Sequence, residues 1–213
     1  MKLIGMLDSP YVRRVAISLE CLGIPFQHEA VSVFSTSEEF KSINPVVKAP
    51  TLICDDGEIL MDSTLILIYA ERLAPAEKSL LPSAPTELQH ALRVIGLALA
   101  ACDKSVQIVY ERSLRPKASQ YQPWIDRVTG QLLAAYDGLE REVKSRGEMF
   151  AGLLNQAAIT AAVAWQFTQS MLPEVVPTTD HPALVRLSVY SEQLPSFTKY
   201  PPVGPGVVAT HNH

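Results

Sequence analysis

Long apolar runs, cysteine and excess basic charge are what this 213-residue chain has least of. The longest apolar stretch, Val94 to Ala101, is too short to span a bilayer and is soon followed by Asp103-Lys104, so no membrane association is expected. The N-terminus is Met1-Lys2, five apolar or small residues, then Asp8. That is too short for a signal-peptide core, and no small-residue cleavage site comes after it. The three cysteines, Cys21, Cys54 and Cys102, lie far apart, without CxxC or metal-ligand spacing. An odd count argues against a disulfide framework and points to a reducing, cytoplasmic setting. All three stand in apolar surroundings and are expected to be buried packing residues. His28, His90, His181, His211 and His213 show no metal spacing beyond the terminal His-x-His, so no metal is expected. The net charge of −4 offers no basic surface, which excludes a nucleic-acid partner. Repeats and low-complexity blocks are absent.

What is present is the composition of a globular protein, 47% hydrophobic and 19% charged, long enough for one large domain or two small ones. The apolar run Leu3 to Leu7 reads as a buried strand. Behind it, Val12, Val15, Ala16, Leu19 and Leu22 have helical spacing. Ser9 suits the N-cap and Pro10 the first helical position, while Gly23 stops the helix, with Pro25 beyond. A serine hydroxyl thus sits where a strand meets the positive end of a helix dipole, a place that suits an anion. Capping alone would account for Ser9 on this stretch; the elements between Phe26 and Leu73 change the balance.

Phe26 to Val33 is a second strand with loose alternation. Ser37 to Lys41 is a short helix, ended by Asn44-Pro45 because a residue before proline is pushed out of helical geometry. Ala49 to Cys54 is a strand, Asp55-Asp56-Gly57 a hairpin turn, and Glu58 to Met61 the returning strand. Asp62-Ser63 then caps a helix with the apolar stripe Leu65, Ile66, Ile68, Tyr69 and Leu73. The order is β-α-β-α-β-β-α over residues 1–79, which predicts one four-stranded sheet. Residues 80–85, Leu-Leu-Pro-Ser-Ala-Pro, are a linker. From 86 to 213 no strand pattern returns. Helices are predicted over Thr86 to Leu114, Trp124 to Lys144, Asn155 to Met171 and Pro182 to Leu194. The third is alanine-rich and apolar on most faces, as in the middle of a bundle. The proline- and glycine-rich tail from Pro195 is expected to lie along the surface. The fold class is therefore α+β, an N-terminal β-α-β-α-β-β-α domain followed by an all-α domain.

This arrangement resembles the cytosolic glutathione S-transferase family, whose first domain is thioredoxin-like. The anchors are Ser9 with Pro10, Asn44-Pro45, Lys48-Ala49-Pro50, Asp62-Ser63 and the tract Gly152 to Ile159, in this order and at these spacings. The resemblance implies that Pro50 is a cis-proline, so that the backbone of Ala49 can pair with the cysteinyl part of glutathione like an added strand. It implies that Ser63 holds the γ-glutamyl carboxylate and Asp62 the ammonium group, against the simpler reading that both only cap a helix. Lys48 would reach the glycine carboxylate, or else be an ordinary exposed lysine. Ser9 would donate to the glutathione sulfur and favour its thiolate. Glutathione enters as co-substrate, and a homodimer is implied.

Three departures qualify the match. Serine at position 9 makes the cysteine-using members poor guides. The zeta-class pattern of paired serines with a nearby cysteine is absent, which speaks against a maleylacetoacetate isomerase. The family's Ser/Thr-x-x-Asp capping box is replaced by Asn155-Gln156-Ala157-Ala158, where Asn155 can cap but the reciprocal carboxylate is missing.

For the second, electrophilic substrate the resemblance implies a place between the two halves. Leu7, Tyr11 and Phe34 are the candidates from the first half. Asp103, Val106 and Tyr110 are those from the long helix, where they share a face. Arg112 and Arg115 could draw an anionic substrate. The reading is a serine-type glutathione transferase acting on an electrophilic small molecule. Its rivals are a non-catalytic binding or regulatory protein of the same fold, like the stringent-starvation and elongation-factor-associated relatives, and a glutathione-dependent isomerase, peroxidase or dehalogenase.

Overall fold

The computed structural model describes residues 1–150 and 154–207. The first strand, β1, is shorter than the apolar run and spans Lys2–Ile4. Gly5 ends it with a φ of +138°, and a Cβ there would collide with Val12, at 2.6 Å, and press on Ala49. Helix α1, Pro10–Leu22, comes next. Gly23 closes it in the left-handed conformation, with its N–H bonded to the Glu20 carbonyl and that of Ile24 to Leu19. Strand β2 is only Gln27–Glu29, helix α2 is Ser37–Ile43, strand β3 is Thr51–Ile53 and strand β4 is Ile59–Met61. Helix α3 is Ser63–Leu73.

The sheet has the order β2-β1-β3-β4. β1 runs parallel to β2 and antiparallel to β3, with Leu3 opposite Leu52, and β4 returns antiparallel to β3. Successive residues of β1 serve opposite faces. Ile4 packs with Val31 and Phe40 of α2 in one core cluster, while α1 and α3 pack on each other.

Of the apolar stripe expected on α3, only Ile66 is buried. Ile66, Leu67 and Ala70 are buried, whereas Leu65 and Ile68 are 60% and 55% exposed and Tyr69 and Leu73 lie outward with them. A helix with two apolar faces has one that its own unit does not cover.

The helical part comprises α4 (Pro85–Leu114), α5 (Gln122–Ser145), the single turn α6 (Gly147–Phe150), α7 (Gln156–Met171) and α8 (Pro182–Glu192). Helix α4 packs on α5 and α7, and α7 on α8. Asn155 caps α7 by accepting from the Ala158 N–H at 2.9 Å, so one cap side chain suffices without the reciprocal carboxylate. The Glu140 carboxylate accepts from the Ala183 and Leu184 N–H groups and covers the N-terminus of α8. Part of the tract beginning at Gly152, and the terminal His211 and His213, lie outside the described residues.

The tail departs from expectation. Pro195–Lys199 is a short helix, α9, and the described residues from Pro195 onward belong with residues 1–80 rather than with the helical unit, Leu81–Leu194. Phe197 is fully buried, under the Arg13 guanidinium, whose Nε donates to the Tyr200 carbonyl at 2.8 Å. Glu20 accepts from both Lys199 and the Tyr200 hydroxyl, and Tyr200 stacks on Phe26. A segment that reads as surface coil by proline content is held by two aromatic residues and a buried cation.

Candidate functional site

The sequence-predicted residues of the first unit gather around the ends of β1 and β3. Ser9 occupies the N-cap position of α1, but its side chain makes no capping bond. The expectation that the hydroxyl caps the helix is therefore corrected: Pro10 already starts the helix, and the hydroxyl oxygen is not spent on the first-turn N–H groups.

The Ala49-Pro50 peptide bond is cis. It stands just before β3 and is fixed by the loop ahead of it. Asn44, buried, donates to the Thr51 hydroxyl at 2.8 Å and accepts from the Val46 N–H at 3.0 Å. The Thr51 hydroxyl in turn donates to the Lys48 carbonyl at 2.8 Å. Val47 takes a φ of +52°, unusual for a β-branched residue, and its N–H bonds the Asn44 carbonyl. The turn at Gly5 passes so near Ala49 that a Cβ on Gly5 would lie 3.2 Å from the Ala49 Cβ, which brings the approach to Ser9 next to the approach to Pro50. The Lys48 side chain is exposed.

At the third corner Asp62 caps α3, accepting from the Thr64 N–H at 2.8 Å, with a φ of +73°. A non-glycine residue held there costs about 1–3 kcal/mol and persists only where the surroundings fix it. Ser63 is buried, and its hydroxyl accepts from Arg14 Nη1 at 3.2 Å. The same guanidinium nitrogen lies 3.4 Å from the Thr64 hydroxyl. A hydroxyl that accepts from a cation keeps its own proton to give. The corner thus combines a cation, a hydroxyl donor and a helix N-terminus, a set that binds a carboxylate.

Leu7, Tyr11 and Phe34 are half-buried, and the Phe34 N–H donates to the Ser32 hydroxyl at 3.1 Å. Asp103, Val106 and Tyr110 lie on α4 of the other unit. Asp103 is exposed, accepting from Gln107 at 2.9 Å and pairing with Lys104. Tyr110 is 39% exposed. Arg112 pairs with Glu174 and Arg115 with Glu111, so both cations are engaged. Cys54 and Cys102 are buried, but Cys21, expected to be buried too, is only partly so. Desolvation pushes the Cys21 thiol up against an opposing hydrogen bond from Ser196, so it is no thiolate. Among the described residues no group of three or more His, Cys, Asp or Glu side chains could hold a metal, and no helix is long and apolar enough to cross a membrane.

Sequence reasoning passed over Arg14 and the side chain of Asn44. Asn44 looked like a helix stop before a proline. The available signal for Arg14 was its place in a helix that carries no other charge than Arg13 between Pro10 and Leu19, yet is buried on nearly every side.

Residues 3–78 match the glutathione S-transferase N-terminal domain family. An uncharacterised GST-like protein of Escherichia coli K12 is 30% identical over 191 residues, covering 88% of this chain and 91% of that protein. The chain belongs to the glutathione S-transferase family. The maleylacetoacetate isomerase of Pseudomonas aeruginosa is 30% identical over 149 residues, 65% of this chain and 69% of the relative. A glutathione S-transferase of Methylobacterium radiotolerans, solved in complex with glutathione sulfonate, superposes with a TM-score of 0.88 at 28% identity, covering 97% of each chain. As in that family, the first unit carries a thioredoxin-like β-α-β-α-β-β-α arrangement and the second is all helical.

Proposed function

We propose that the protein binds reduced glutathione and promotes attack of its thiolate on an electrophilic small molecule. The uncommitted Ser9 hydroxyl at the N-terminus of α1 carries this reading. A free thiol has a pKa of roughly 8.5, and only the thiolate is a strong nucleophile. Lowering that value by one unit takes about 1.4 kcal/mol of preferential stabilisation, within the reach of one O–H donor and a helix dipole. Ser9 then neither removes the proton nor attacks; it makes the ionised sulfur the favoured form. The γ-glutamyl carboxylate is assigned to Ser63 with Arg14 behind it, and the ammonium group to Asp62. The cysteinyl backbone is assigned to Ala49 before cis-Pro50, and the glycine carboxylate to Lys48. Leu7, Tyr11 and Phe34 are the first unit's candidates for the electrophile. The complex of the Methylobacterium relative with glutathione sulfonate supports the tripeptide assignment.

A homodimer is proposed as well, supported by the exposed apolar face of α3 at Leu65, Ile68, Tyr69 and Leu73. The three free thiols accord with a reducing cytosol. A glutathione-dependent isomerase is the second reading, favoured by the Pseudomonas aeruginosa relative.

The test is calorimetry with reduced glutathione, followed by turnover with a generic aryl halide for the natural protein and Ser9→Ala. Binding is expected in both, with turnover at neutral pH about tenfold lower or worse in the variant. No heat with glutathione overturns the whole reading. Binding without conjugation directs the assay to isomerisation.

A further inference from the structure

One carboxylate stands directly beside Ser9. Asp8 is the only titratable side chain in the turn from Gly5 to Ser9, and a negative charge there opposes a neighbouring thiolate. The C-terminal strap takes hold of it. The Gly206 N–H donates to Asp8 Oδ2 at 2.8 Å. Gly204 passes so close that a Cβ would lie 2.1–2.6 Å from the carboxylate atoms. Gly206 has a φ of +69°, a conformation that glycine adopts without cost.

The strap is anchored at its other end by Tyr200, whose carbonyl accepts from Arg13 and whose hydroxyl donates to Glu20. The strap thus leads from its contacts with Arg13 and Glu20 of α1 to the residue before Ser9, where it presents its backbone. Pro201, Pro202 and Pro205 stiffen it, and residues 201–207 contain no titratable side chain. The other charges of this corner are engaged: Arg13 on the Tyr200 carbonyl, Arg14 on Ser63, Asp62 on the α3 backbone.

We propose that the strap is a positioning element for the reaction. Gly204 and Gly206 hold the Asp8 carboxylate on the strap's backbone, away from the sulfur bound beside Ser9, and so ease ionisation of that sulfur. This rests on the proposal that the protein binds glutathione.

The test ends the chain at Pro202, which keeps the Tyr200 anchor. Glutathione affinity is measured by calorimetry, and ionisation of the bound thiol by the ultraviolet absorbance of the thiolate across pH. The shortened chain is expected to bind within about threefold of the full one but to ionise its thiol about one unit higher. Asp8→Asn in the shortened chain is expected to restore the original midpoint, which a loss of mere scaffolding would not do. In the full chain Asp8→Asn should shift it far less. Gly204→Ala, which forces the carboxylate to turn, should shift it upward by a smaller amount, and it decides the matter if the shortened chain loses its helical signal. An unchanged midpoint in the shortened chain, or no rescue by Asp8→Asn, overturns the proposal. Failure of the full chain to bind glutathione is a separate result, which defeats the parent reading and this one with it.

Discussion

In the helical unit three buried hydroxyls, those of Tyr136, Thr168 and Ser105, satisfy one another. Tyr136 O–H lies 2.6 Å from the Thr168 hydroxyl and 2.9 Å from the Ala164 carbonyl, and Thr168 lies 2.7 Å from Ser105. The Tyr136 ring meets Trp165 edge-on, and burial pushes its hydroxyl well above the ordinary tyrosine value, so it stays a neutral donor. In the first unit the polar groups near the site are arranged differently. Arg14 supports Ser63, whose proton is still to be donated, Asn44 braces a loop, and Ser9 leaves its helix uncapped. Among the described residues, both non-glycine positive-φ positions and the cis peptide bond also fall in this unit. A polar group that completes a closed network only holds a fold together. At Ser9 and Ser63 hydroxyl capacity is left over next to helix N-termini, where an outside group can use it.

The comparison breaks most readily at Arg14. Arg14→Met should lower glutathione affinity about a hundredfold with little change in helical content, because a hydrogen bond to a charged group is worth about 1.5–3 kcal/mol. Calorimetry and circular dichroism check this. Ser63→Ala should cost about tenfold in affinity by the same titration and leave thermal stability nearly unchanged. If either change instead unfolded the protein, the first unit would be no different in kind from the second.

The helical unit should respond the opposite way. Tyr136→Phe is expected to cost about 1–2 kcal/mol of stability by leaving the Ala164 carbonyl and Thr168 short of a donor, with affinity for glutathione unchanged. Thermal melting gives the first and calorimetry the second. The smallest effect belongs to Glu142. Hydrogen bonds from Arg93 and then Arg146 hold its carboxyl below the usual carboxylate range. A depressed folded value stabilises above the unfolded glutamate pKa, roughly 4.3, and the gain is lost as the pH falls through the folded value. Glu142→Gln should therefore melt slightly below the natural protein at pH 7, and the gap should close below about pH 4. The effect stays smaller than that of Tyr136→Phe because both arginines are partly exposed.

Residue pattern carried the order of strands and helices well, because the period of the apolar residues changes wherever the element does. It placed Gly23, Asn155 and the Asp55-Asp56-Gly57 turn for local reasons that survive in the fold. It could not say which apolar face of α3 turns inward, since Leu65, Ile66, Leu67 and Ile68 are equally greasy in a row and only packing on α1 chooses among them. Nor could it see that Ser9 would decline to cap, or that Arg14 would lie beneath Ser63. The second is a contact between segments far apart in the chain.

The return of Phe197 and Tyr200 to Arg13 gives the protein an order of assembly. Residues 1–80 leave the ribosome before the helical unit, yet the groove that receives α9 stays open until α9 has been synthesised. Throughout translation of the helical unit a guanidinium meant for burial lacks its carbonyl and its aromatic cover. A nascent chain stalled anywhere before Pro195 should thus expose the back of α1 to chaperones, and a fragment cut after Leu80 should be sticky for the same reason.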